Sequence, residues 1–149
     1  MGEKLISVNR KASHDYFLED RYEAGLVLTG TEIKSIRQGK VQFKDAYISI
    51  KDGEAWIKEM HIAEYDHGNV FNHDETRERK LLLHKLEIRK LANKIKLQGY
   101  TVVPTRMYLK DGRAKLEIAL AKGKHLYDKR NDEKIKDAKR EMEKALKLR

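Results

Sequence analysis

Two Asp-Gly pairs, Asp52-Gly53 and Asp111-Gly112, each stand between runs of strand-forming residues, and no other feature of the chain limits its fold as tightly. Asp-Gly is favoured where a two-residue turn needs positive φ at both central positions, so each pair predicts a hairpin and therefore antiparallel sheet. The second hairpin is the clearer. Ala114, Leu116, Ile118 and Leu120 alternate with Lys115, Glu117, Ala119 and Ala121, which turns one apolar face inward and the other outward. Its partner strand is expected over 99–109, with Pro104 marking an edge or a bulge because proline cannot donate to a ladder. The first hairpin pairs 46–51 with 54–62, where Ile48, Ile50 and Ile57 reach a core. A further strand is expected over 22–28, and the pattern leaves open its continuation back through Tyr16-Phe17-Leu18.

Helical signals fall between these strands. Residues 32–38 read as a short helix stopped by Gly39, with Thr29 or Thr31 as N-cap. A longer one is expected over 84–98, ending at Gly99. Its Ile88, Leu91, Ala92 and Ile95 keep helical spacing, and Lys85, Arg89, Lys90, Lys94 and Lys96 form a basic rim. Short hairpin-linked strands with few helices predict a mainly β fold with peripheral helices: an OB-like antiparallel β-barrel, although an α+β sandwich fits the same string. After Ala121 the strand pattern stops. Ile135, Ala138, Met142 and Ala145 recur at helical intervals among charges, an amphipathic stretch with little to bury. The expected organisation is a barrel over 1–121 and a basic tail over 122–149, disordered when free and helical against a partner.

Charge is concentrated. Residues 122–149 carry 11 Lys/Arg and 6 Asp/Glu, and residues 77–96 carry 8 and 2, so these two segments exceed the whole-chain net charge of +9. The rest is slightly acidic, which is the footprint of a polyanion-binding surface. No apolar run approaches the roughly 20 residues needed to cross a bilayer, and the start lacks a signal peptide's apolar region, so a cytoplasmic protein without membrane partners is expected. With no cysteine, disulfides, thiol nucleophiles and Cys-ligated zinc are excluded.

Six histidines invite a search for chemistry. His61, His67 and His73 recur every six residues with Asp66 and Asp74 nearby, a spacing that is neither strand-like nor helical and lacks a zinc-helix pattern. Ordinary loop histidines are expected, and no metal. His14-Asp15 could orient an imidazole as in a ribonuclease, but strand neighbours point to opposite faces. Gly25, Gly30 and Gly39 form neither a P-loop nor a dinucleotide fingerprint. No enzyme and no cofactor are expected. Binding is better supported: Arg77, Arg79 and Lys80 precede Leu81-Leu82-Leu83 and adjoin the basic helix, a place for salt-dependent phosphate contacts. In the tail, Lys122, Lys124, His125, Asp128, Lys129 and Arg130 surround Tyr127, a ring able to stack on a base. From these residues alone, a solvated tail reads equally well.

Several blocks together resemble the SsrA-binding protein (SmpB) family. They are Asn9-Arg10-Lys11-Ala12 with His14-Asp15-Tyr16, Tyr22-Glu23-Ala24-Gly25-Leu26 and Gly30-Thr31-Glu32-Ile33-Lys34-Ser35-Ile36-Arg37. The blocks continue through Asn72-His73, Arg77-Glu78-Arg79-Lys80-Leu81-Leu82-Leu83-His84-Lys85, Gly99-Tyr100-Thr101-Val102-Val103-Pro104 and Ala121-Lys122-Gly123-Lys124 with Asp128-Lys129-Arg130. The resemblance implies an OB-like barrel that grips the tRNA-like domain of transfer-messenger RNA (SsrA RNA) around its D-arm. It implies delivery, alongside elongation factor Tu, to stalled ribosomes for trans-translation, with the tail in the vacant messenger channel near the decoding region of the small subunit. By motif position it implies RNA contacts at Asn9, Glu32, Leu91 and Lys115, to which the basic run adds Arg77, Arg79, Lys80 and Lys85. Glu32 also fits a purely structural role, since an acid in a helix's first turn favours the dipole. The tail departs from the family pattern at His125, where a second Lys is usual, and at Tyr127, where His is often found.

Overall fold

A computed structural model describes residues 2–65 and 72–124. Among them the chain forms β1 (Glu3–Val8), α1 (Arg10–Asp15), β2 (Tyr16–Leu26), α2 (Gly30–Arg37), β3 (Val41–Gln42), β4 (Tyr47–Lys51), β5 (Glu54–Lys58), β6 (His61–Ile62), β7 (Arg79–Leu82), α3 (Lys85–Gln98), β8 (Thr101–Lys110) and β9 (Arg113–Gly123). Seven strands make one antiparallel sheet in the order β1-β8-β9-β2-β7-β5-β4, and β3 pairs with β6 as a separate ribbon. The sheet curls until β4 lies alongside β8. The seam between them is roofed by Ala92, Ile95 and Lys96 of α3, which gives the barrel its OB-like form.

Both Asp-Gly pairs make the expected turns. Asp52 (φ 53°) and Gly53 (φ 75°) join β4 to β5, and Asp111 (φ 52°) and Gly112 (φ 82°) join β8 to β9, the positive-φ pair that matches the strands' right-handed twist. The alternation in β9 buries Leu116, Ile118 and Leu120 and leaves Lys115 partly exposed. Pro104 marks a register shift against β9 rather than an edge. β1 ends where Val8 meets Arg106, so no ladder bond is demanded of the proline nitrogen.

The first hairpin is shorter than expected. Glu59 takes φ 64° and ends β5 at Lys58, so residues 61–62 turn away to pair with β3. β2 is one strand from Tyr16, with a bulge between Leu18 and Arg21. β1 and α1 carried no clear pattern: β1 is mostly exposed, and α1 is a six-residue turn whose N-cap Asn9 accepts the Ala12 N–H and donates from Nδ2 to the Pro104 carbonyl. His14 and Asp15 therefore close a helix rather than face apart on a strand, and their side chains meet at 3.0 Å on an exposed surface.

Both expected helices form. Thr29 caps α2 in a reciprocal box with Glu32, and Gly39 follows at φ 78°. α3 ends on left-handed Gly99 and buries Ile88 and Leu91. The core joins Ala24 of β2, Ile36 of α2, Ile48 and Ile57 of the first hairpin, Leu81 of β7 and Leu91 of α3 to Met107, Leu116 and Ile118. Each of these leucine, isoleucine and methionine side chains contributes roughly 1.5–3 kcal/mol by leaving water.

Candidate nucleic-acid interface

Lys115 of β9 is far in sequence from Lys80 of β7 and Lys85 at the start of α3, yet all three line one open groove of about 660 Å³. The groove forms where β2, between β9 and β7, carries Gly25 beside Glu23 on its outer face. A Cβ there would stand 3.4 Å from Leu82, so the missing side chain lets the neighbouring strand's residues approach. Leu82, more than half exposed, and exposed His84 add apolar and aromatic surface beside the cations. Glu23, Glu54 and Glu87 lie among them. Lys80 is held by Glu54 at 2.9 Å, Glu87 accepts the His84 N–H, and Glu23 accepts the Tyr108 hydroxyl and pairs with Lys110. That hydroxyl and the lysine keep the Glu23 carboxyl below its usual range, against burial, which favours the acid. Beyond Lys115 the basic surface continues to Lys110 and Arg113. An open cationic strip with apolar islands suits a ribose-phosphate backbone with exposed bases.

Glu32, Arg77 and Arg79 come together elsewhere, and not at the surface. Glu32 and Arg79 are fully buried. The carboxylate accepts from Arg79 Nε at 2.6 Å, from Arg77 Nη2 and Nε at 2.7 and 3.2 Å, and from the Thr29 N–H at 2.8 Å. Burial works to raise the Glu32 carboxyl, but Arg77, the Thr29 amide and Arg79 outweigh it and hold the group below the usual carboxylate range. Arg79 spends its remaining donors on the carbonyls of Met60, Asp74 and Glu75. Burial favours the structural role open to Glu32 and leaves Arg79, expected among the RNA contacts, without exposed surface, since a buried ion needs its bonding capacity satisfied inside. Only Arg77, about a third exposed, has an edge toward solvent.

Leu91 is likewise fully buried. Of the two roles open to it, core residue or apolar platform under RNA, its burial fits the core, because the stripe it shares with Ile88 faces the sheet. Asn9 is nearly buried and committed to capping α1 and anchoring Pro104. Of the histidines, His73 is buried between the Thr31 hydroxyl at Nδ1 and the Ile62 carbonyl at Nε2, each 2.9 Å away, and His61 pairs with Glu75 at 3.2 Å. His67 lies outside the described residues. No group of three or more potential metal ligands occurs among the described residues, and no described helix is long and apolar enough to cross a membrane.

The end of the barrel carries cations over rings. β9 continues to Gly123, two residues past the expected end of the barrel at Ala121, because Lys122 pairs with Phe17 and Gly123 with Tyr16. Lys122 Nζ lies 4.9 Å from the Tyr100 ring centre and Lys124 Nζ 5.0 Å from that of Phe17. His125, Tyr127, Asp128, Lys129 and Arg130, and with them the expected disorder or helicity of the tail, lie outside the described residues.

Residues 6–148 match a model of the SmpB protein family. The chain is 60% identical over 144 residues to the SsrA-binding protein of Lysinibacillus sphaericus, an alignment covering 97% of this chain and 93% of that one. It is 58% identical over 149 residues to the SsrA-binding protein of Geobacter metallireducens, covering 100% and 97%. It is also similar to a chain from the solved structure "tmRNA-SmpB: a journey to the center of the bacterial ribosome", with a TM-score of 0.68 and 45% identity over 79% of this chain and 83% of the other.

Proposed function

This chain belongs to the SmpB protein family, and on that premise we propose that it binds the tRNA-like domain of transfer-messenger RNA and delivers it to stalled ribosomes. Trans-translation, tagging of the unfinished peptide and release of the ribosome follow from that delivery. The observation that carries the RNA-binding half is the convergence of Lys80, Lys85 and Lys115, from three elements, on one open groove. In this reading the lysines neutralise backbone phosphates and set the register of the RNA. Leu82 and His84 cover unpaired bases, and the Glu32–Arg79 pair holds Arg77 and the approach to β7 rigid beneath them.

The protein acts in the cytoplasm as an adaptor with no reaction of its own, alongside elongation factor Tu. The second half of the function falls to the chain beyond the barrel. Lys122 and Lys124 start a basic run that continues through His125, Tyr127, Asp128, Lys129 and Arg130 toward the decoding region of the small subunit.

Fluorescence anisotropy of the labelled tRNA-like domain, titrated with protein at about 0.15 M salt where long-range charge is largely screened, tests the first half against bulk tRNA as competitor. Tight binding that excess tRNA leaves in place is expected. Equal competition by tRNA would replace the reading with that of a general ribosomal-RNA-binding barrel.

A further inference from the structure

We infer that the outer face of β4-β5-β7 holds an unpaired nucleotide whose base stacks on Trp56, a second RNA contact next to the groove that rests on the RNA-binding reading above. The pleat decides which side chains form this face. Ala55 and Ile57 of β5 are buried in the core, so Glu54, Trp56 and Lys58 point outward. Register places Ser49 of β4 on one side of Trp56 and Lys80 of β7 on the other. The indole thus stands in the middle strand of three, partly exposed, with a small hydroxyl residue to one side and a cation to the other. It lines a shallow recess of about 280 Å³ with Ser49, Lys51, Asp52, Glu54, Lys58 and Glu78.

Three features point to a nucleotide rather than to a protein partner. The ring is flanked by Lys58 along its strand and Lys80 across it, each kept in place by a carboxylate, Glu78 at 3.3 Å and Glu54 at 2.9 Å. With exposed Lys51, these cations suit the phosphates on either side of a stacked base. The same two carboxylates accept hydrogen bonds at the rim of the recess, which fits the amino groups on the pairing edge of guanine, adenine or cytosine and disfavours uracil, which has none. Finally, Glu54 lines both the groove and this recess, and Lys80 of the groove is Trp56's cross-strand neighbour, so an RNA strand seated in the groove lies next to this face. Stacking on an aromatic platform between cations is how many proteins hold single strands.

Trp56 is the only tryptophan in the chain, so its emission reports the contact directly in the unmodified protein. Short single-stranded oligoribonucleotides rich in guanine or adenine, and the tRNA-like domain itself, are titrated while both tryptophan emission and the anisotropy of a label on the RNA are followed. Saturable quenching in step with the anisotropy is expected, weaker for an oligouridine of equal length. Trp56→Ala should lower affinity for the tRNA-like domain about 5- to 150-fold, the range that removal of a base stack produces, and Trp56→Phe should restore much of it, with circular dichroism confirming that both variants fold. An anisotropy rise with unchanged emission, and equal affinity for Trp56→Ala, would overturn the inference and leave the groove reading intact. A tRNA-like domain that fails to bind would instead defeat the groove reading; the oligonucleotide titration then decides the Trp56 face alone, with unmoved emission rejecting it.

Discussion

Glu32 accepts four hydrogen bonds, from Arg77, Arg79 and the Thr29 amide, in a site closed to water. Removing its charge while keeping its shape leaves Arg79 buried and uncompensated, so Glu32→Gln should cost about 3–5 kcal/mol of stability, measured by urea unfolding. The same group sets an acid limit. Its folded-state pKa lies below the unfolded value of about 4.3, so its stabilisation is complete above that pH and is lost as pH falls through the folded value. Urea midpoints between pH 6 and 3 should drop along this limb, and Glu32→Gln should flatten it, while a limb unchanged in the variant would assign the acid sensitivity to other carboxylates. Leu91→Ala should cost roughly 2–5 kcal/mol as a core truncation. Its RNA affinity, measured where the variant is fully folded, should stay close to the parent's; a large drop there would return Leu91 to the interface.

At the scale of elements, the two positive-φ turns and the left-handed end of α3 carry local strain that only glycine relieves cheaply. Gly112 at φ 82° and Gly99 at φ 68° have open space where a Cβ would stand, so alanine there costs backbone energy alone, roughly 1 kcal/mol, visible as a lowered Tm. β7 is where local pattern and tertiary demand conflict. Its basic start, Arg79-Lys80, reads from sequence as a run of surface cations, yet the pleat sends Arg79 into the core and Lys80 outward. Alternation was legible; which parity faced inward was not, because that depends on the partner strands β2 and β5. The groove lysines give the corresponding binding prediction. Replacing Lys80, Lys85 and Lys115 together by Ala should weaken binding of the tRNA-like domain. It should also lower the salt dependence by somewhat under one unit of slope for each phosphate that no longer meets a lysine. An unchanged slope would place the phosphates elsewhere.

For the molecule as a whole, the barrel separates two basic regions: the groove at β2-β7-β9 and the cation-ring cluster where β9 ends beside β2 and β8. If each serves its own partner, deleting residues 132–149 should leave affinity for the tRNA-like domain within about two-fold while abolishing peptide tagging in a reconstituted translation assay. Loss of both activities would show that the two regions act as one surface.

The sequence by itself determined the hairpins, the two longer helices with their caps, the antiparallel class and the localisation of charge. Each is a matter of neighbours a few residues apart: turn dipeptides, pleat alternation, Thr29 reaching Glu32, glycine after a helix. It also carried the family, through blocks spread over the chain. Tertiary structure decided what those blocks do. Glu32 meets Arg77 and Arg79 across some 45 residues, Lys115 joins Lys80 across Gly25 of β2, and β5 stops at Lys58 because its continuation pairs with β3. A charge's role depends on whether water or a counter-charge surrounds it. Side chains alike in sequence, such as Arg79 and Lys80, thus part into a buried strut and an exposed contact only when the sheet closes.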